Sequence, residues 1–75
     1  MKPQEVLRYM VETRGLSQRQ ASVKAGRTKS FIGFYLSKGR KPSLEVLSDI
    51  AHHLGFTFVL RDNETGKHIV IDPPE

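Results

Sequence analysis

Apolar residues recur at helical spacing through the first 55 positions of the chain and at every second position after that. Val6, Leu7, Met10 and Val11 follow Pro3, a residue tolerated in a first helical turn, so residues 3–14 are predicted to form an amphipathic helix that Gly15 ends. Ser17 followed three positions later by Gln20 has the form of a capping box, which predicts a short second helix from Gln18 to Ala25, stopped by Gly26. The apolar positions of that helix are only Ala21, Val23 and Ala25, and such small residues allow a neighbouring helix to cross closely. Thr28 is the expected N-cap of a third helix reaching about Ser37, with Phe31, Ile32 and Tyr35 as its inward stripe. Lys38, Gly39, Arg40, Lys41 and Pro42 then form a basic loop. Ser43 caps a fourth helix that carries Leu44, Leu47, Ile50, Ala51 and Leu54 on one face and stops at Gly55.

Beyond Gly55, Phe56, Phe58 and Leu60 alternate with Thr57, Val59 and Arg61, and a second run from His68 to Ile71 follows the polar segment Asp62 to Lys67. This is the pattern of a β-hairpin, with Asn63 and Gly66 available for the turn and Pro73 and Pro74 after it. A lone two-stranded hairpin is marginal in water and leaves open edges, so it is expected to pack on the helices or to pair with a second chain. The expected architecture is mainly α, with four helices followed by a C-terminal hairpin. Residues 1–55 form the helical domain and residues 56–75 a dimerisation element.

With 75 residues the chain has room for one small domain, which excludes a multidomain enzyme. The absence of cysteine excludes disulfides and thiolate metal sites. Apolar runs are too short to cross a bilayer and no basic-then-apolar leader is visible, so the expected address is the cytoplasm. A core this small makes an oligomer a reasonable way to bury more surface.

The net charge of +4 hides a strong polarity along the chain. Residues 14–41 hold Arg14, Arg19, Lys24, Arg27, Lys29, Lys38, Arg40 and Lys41 without one acidic residue. From Glu45 onward the balance inverts, with Asp49, Asp62, Glu64, Asp72 and Glu75 opposed only by Arg61 and Lys67. The basic part, interleaved with Ser, Thr and Gln, has the composition of a phosphate-contacting surface. It coincides with the two short helices that flank Gly26, the sequence form of a helix-turn-helix. Ala21, Ser22 and Ala25 let those helices cross, Gly26 supplies the turn, and Ile32 and Tyr35 anchor the second helix. That arrangement presents Thr28, Lys29 and Ser30 at the helix start to a major groove.

The chain resembles the Xre family of helix-turn-helix regulators, which includes phage Cro and repressor proteins. The residues that carry the likeness are Leu16-Ser17-Gln18, Lys24-Ala25-Gly26, Ser30-Phe31-Ile32, Gly39-Arg40-Lys41-Pro42-Ser43-Leu44-Glu45, Ile50-Ala51-His52 and Leu54-Gly55, spanning residues 4–55. The resemblance implies a lambda-repressor-like helical bundle whose third helix reads base edges while Gln18 and the basic loop hold phosphates. The expected DNA-contacting set is Gln18, Arg19, Thr28, Lys29, Ser30, Gly33, Phe34, Ser37, Lys38, Arg40 and Lys41. Of these, Arg19, Lys38, Arg40 and Lys41 are expected on phosphates and Lys29, Ser30 and Phe34 on bases. Phe34 has two expectations, contact with a thymine methyl or packing against the bundle or a partner subunit.

Departures from the family pattern carry expectations of their own. Ser22 stands where a buried Ala is usual and Arg27 where an apolar turn residue is usual, so the turn is expected to be more solvated than in its relatives. Gly33 lowers helix propensity, an expense offset if the backbone approaches DNA closely. The acidic residue that many family members carry in place of Leu36 is absent.

Function follows as a sequence-specific DNA-binding transcriptional regulator, a repressor acting as a homodimer on an inverted-repeat operator. The hairpin residues Phe56, Phe58, Val59, Leu60, Ile69, Val70 and Ile71 are too apolar for a solvent-exposed ribbon and are expected to join the two copies. The alternative is an antitoxin that binds a toxin protein partner and represses its own operon. The segment Leu54 to Arg61 resembles the dimerising strand that follows the bundle in HipB-type antitoxins. A third reading, a protein-interaction module that does not bind DNA, predicts that charge reversal at Lys29 and Arg40 leaves binding unaffected. Enzymatic activity and a cofactor are not expected. Asp49 and His53 lie at i, i+4, but two residues of one helix do not complete a metal coordination shell.

Overall fold

A computed structural model describes residues 1–73, and Pro74 and Glu75 lie outside the described residues. Four helices precede a two-stranded antiparallel hairpin: α1 (Pro3–Thr13), α2 (Gln18–Lys24), α3 (Phe31–Lys38), α4 (Leu44–His53), β1 (Phe58–Arg61) and β2 (His68–Ile71). The local signals act as expected at three of the four helix starts. Pro3 occupies the first turn of α1. The Ser17 hydroxyl accepts from the Gln20 amide at 3.0 Å while the Ser17 amide donates to the Gln20 side chain at 2.9 Å, completing the capping box of α2. The Ser43 hydroxyl accepts from the Val46 amide at the start of α4.

The start of α3 differs from expectation. Thr28 does not cap it; the helix begins at Phe31, with Ser30 in the cap position and no side-chain cap bond from it. The Phe31 amide bonds the Thr28 carbonyl at 3.0 Å, and the next amide, of Ile32, is served from another helix. Ser22, fully buried in α2, donates its hydroxyl to the Gln18 carbonyl at 2.7 Å and accepts the Ile32 amide at 3.0 Å. The serine thus ties the crossing point of the two helices together, and the expected solvation of the turn at this position is corrected. Arg27 is likewise committed inward, paired with Asp49 at 2.9 Å and stacked over the Phe31 ring at 4.6 Å.

The core is one cluster made by Leu7, Met10, Val11, Ala21, Ala25, Ile32, Leu47, Ile50, Ala51 and Leu54. Leu44, expected on the inward face of α4, is instead exposed because it precedes the packed part of that helix, next to the surface cap at Ser43. Val23 is also exposed, on the side of α2 opposite Ala21 and Ala25. Among the described residues no helix is long and apolar enough to cross a membrane.

In the hairpin, Phe58 pairs with Ile71, Val59 with Val70, Leu60 with Ile69 and Arg61 with His68. Its turn is organised by Asp62, whose carboxylate accepts the Glu64 amide at 2.9 Å and the Thr65 amide at 3.4 Å. These bonds favour the ionised form and hold the carboxyl below its ordinary value. Phe56, Phe58 and Ile71 are half-buried, and both phenylalanines pack against the helical core, whereas Val59, Leu60, Ile69 and Val70 are 43–58% exposed. The ribbon therefore rests on the helices by one end and leaves apolar surface uncovered at the other.

Candidate nucleic-acid interface

The interface is assembled from α2, α3 and the loop that follows α3. Gly26 adopts φ +74°, a conformation that strains residues with a Cβ, and so turns the chain from α2 toward α3. Ile32 is then buried on the inner side of α3, which leaves Ser30, Gly33, Phe34 and Ser37 on the outer side at i, i+3, i+4 and i+7. Thr28 and Lys29 lie exposed in the turn ahead of the helix, not in its first turn as expected.

Two contacts join this stripe to the neighbouring segments. Gln18, exposed at the first position of α2, reaches Gly33 of α3 with its side chain, so that a Cβ on Gly33 would lie 3.1 Å from its amide oxygen. On the other side, the guanidinium of Arg40 stacks 5.2 Å above the Phe34 ring, which is 44% exposed and also meets Tyr35 edge-on. Of the two expectations for Phe34, the structure has it packed on residues of its own chain while still open to solvent.

The basic loop is held at Arg40 by both its amide and its carbonyl. Gly39 ends α3 at φ +66°, and the Arg40 amide bonds back to the Tyr35 carbonyl at 3.2 Å. The Arg40 carbonyl accepts from the Gln4 side chain of α1 at 2.9 Å. Gln4, absent from the expected set, thereby fixes the backbone from which Arg40 projects. No sequence signal marks it, because the bond spans 36 residues. Lys38 and Lys41 are exposed on either side of this anchor.

Not all of the basic run serves this surface. Arg14 donates to the Leu54 carbonyl at 2.7 Å and the Gly55 carbonyl at 3.1 Å, and its guanidinium lies 3.9 Å above the Phe56 ring. It caps the end of α4 and holds the start of the ribbon. With Arg14 and Arg27 engaged internally, Arg19, Lys24, Lys29, Lys38, Arg40 and Lys41 remain exposed from the acid-free stretch. The charge of Asp49 on α4 is paired with Arg27 of the turn. The His53 ring nitrogen lies 2.8 Å from the Asp49 carbonyl and 3.5 Å from its carboxylate, so the two residues face each other one turn apart on α4.

An exposed helix stripe without acids, flanked by cations and carrying hydroxyls and an aromatic edge, matches what a DNA major groove and its phosphates require. A protein-family model described as helix-turn-helix matches residues 7–60, from α1 into β1. No curated protein and no solved structure gave a significant match.

Proposed function

This chain belongs to the Xre-like helix-turn-helix family of DNA-binding regulators, and on that footing we propose that it is a repressor binding an inverted-repeat operator as a homodimer. The observation that carries the reading is the stripe Ser30, Gly33, Phe34 and Ser37, joined through Gln18 to α2 and through Arg40 to the basic loop. Two recognition helices would enter successive major grooves on one side of the duplex, about 34 Å apart. Gln18, Arg19, Lys38, Arg40 and Lys41 take phosphates, and Thr28, Lys29, Ser30 and Phe34 face bases. Occupying a promoter in this way would exclude polymerase, which is the repressor step.

Residues 56–75 are proposed as the dimerisation element. Support comes from the exposed Val59, Leu60, Ile69 and Val70 on a ribbon with open edges. Phe56 and Phe58 contribute indirectly, by seating the ribbon on the helices. Selection of bound duplexes from a random pool, repeated with Lys29→Ala and Arg40→Ala, tests the assignment. Lys29→Ala should relax the selected sequence, while Arg40→Ala should keep it and reduce the salt dependence. Failure of the wild-type chain to enrich any duplex contradicts the reading.

The same exposed hairpin residues support the alternative, an antitoxin whose ribbon seats a toxin protein. The two readings share a dimer and operon repression, so a gene for a kinase-like or nuclease-like toxin immediately beside this one, and co-purification of its product with this chain, separates them.

A further inference from the structure

Gly33 lies inside α3 and, unlike Gly26 and Gly39, has no positive φ that calls for a glycine. A glycine in a helix interior weakens the helix relative to alanine, so its presence there needs another reason. The space above its α-carbon supplies one. The Gln18 side chain occupies it, with the amide oxygen 3.1 Å from where a Cβ would stand, closer than ordinary van der Waals contact allows. The neighbour is the flexible end of a side chain, so a Cβ at position 33 would push the amide outward by a few tenths of an ångström and leave the backbone in place.

We propose that Gly33 is a positioning residue: by lacking a Cβ it seats the Gln18 side chain on α3, so that the Gln18 amide bonds a DNA phosphate beside the base-reading stripe. This rests on the DNA-binding reading above. Gln18 begins α2 at an exposed position, where a neutral amide offers two N–H donors to a phosphate oxygen. A long side chain free in solvent loses rotamer freedom when it binds; one already laid against a neighbouring helix loses less. Ser30, Phe34 and Ser37 stand on the same side of α3 as Gly33, so phosphate contact and base contact are set by one helix.

The test uses the full chain as wild type, Gly33→Ala, Gln18→Ala and the double variant, with the duplex enriched by the wild type. In the free protein, a nuclear Overhauser contact between the Gln18 side-chain amide and the Gly33 α-protons is expected, and Gly33→Ala should weaken the corresponding contact. Gly33→Ala should raise the melting temperature by about 4 °C or more through helix propensity. It should nonetheless weaken binding about tenfold, the partial loss in each of the two half-sites of one hydrogen bond to a charged group. Gln18→Ala should weaken binding at least as much, and the double variant should be no weaker than Gln18→Ala alone. Wild-type affinity in either single variant, a lower melting temperature for Gly33→Ala, or losses that multiply in the double variant would overturn the proposal. Enrichment of no duplex by the wild type defeats the DNA-binding reading and this proposal together, whereas intact binding insensitive to position 33 defeats this proposal alone.

Discussion

Ser22→Ala removes one hydroxyl and leaves a buried amide donor behind. Ser22 Oγ accepts the Ile32 amide at 3.0 Å in a buried setting and donates to the Gln18 carbonyl at 2.7 Å. The carbonyl keeps its helical partner when the hydroxyl goes, since Ser22 is one turn further along the same helix. The Ile32 amide belongs to the first turn of α3 and has no carbonyl one turn earlier to bond. A buried donor left unpaired costs about 1–3 kcal/mol. A chain of this size has a total stability of roughly 4–11 kcal/mol, so the loss is a large share of it. At about 4–8 °C per kcal/mol, the melting temperature should fall by about 5–20 °C. Ser48→Ala is the matched control: Ser48 is also buried, but its hydroxyl only donates to the Glu45 carbonyl at 3.2 Å, so no donor is stranded. Its cost should stay below about 1 kcal/mol. Thermal and urea unfolding followed by circular dichroism measure both, and hydrogen exchange at Ile32 reports the bond itself. If Ser22→Ala melts with Ser48→Ala, the hydroxyl does not hold α3 to α2 and the explanation for the late start of α3 fails.

Arg14→Ala should destabilise the chain by about 1–2 kcal/mol, because two carbonyls at the end of α4 lose a charged donor and Phe56 loses its covering guanidinium; chemical denaturation checks this. Leu60→Lys combined with Val70→Lys should convert a dimer to a folded monomer in sedimentation equilibrium, since both side chains are exposed in the single chain. Arg40→Ala should lower the slope of log binding constant against log salt by about 2, one phosphate contact from each copy of the dimer, and fluorescence anisotropy across a salt series measures it. The Asp62 carboxyl is held below its ordinary value of 3.8, so its stabilisation of the hairpin turn is present above that pH and is lost as pH falls through the lowered value. Amide shifts of Glu64 and Thr65 followed on acidification should report the loss, and Asp62→Asn should remove most of that pH response.

Local signals in the sequence located most of the fold. The Ser17 and Gln20 pair caps α2 as its spacing indicates, the change from helical to two-residue period marks the ribbon, and Gly26 turns the chain between the two short helices. The outer stripe of α3 was legible as well, because Ile32 alone fixes which side of that helix is buried. The start of α3 was not, since neither Thr28 nor Ser30 caps it with a side chain and the Ile32 amide in its first turn is satisfied by Ser22 from ten residues away. The same holds for the cations. Composition counts Arg14 and Arg27 with the rest of the basic run, but only the folded chain brings the α4 carbonyls to one and Asp49 to the other. Gln4 and Gly33 acquire their roles in the same way, from side chains that meet across the bundle and have no periodic signature.

Mapping of backbone amide shifts during titration with a selected duplex tests the central claim most directly. The account predicts that the largest changes fall on Gln18 and Arg19, on residues 28–34 and on residues 38–41, while β1 and β2 stay unchanged beyond the effects of dimerisation. Changes centred on the hairpin, or an unmoved α3 in a chain that still binds the duplex, would contradict it.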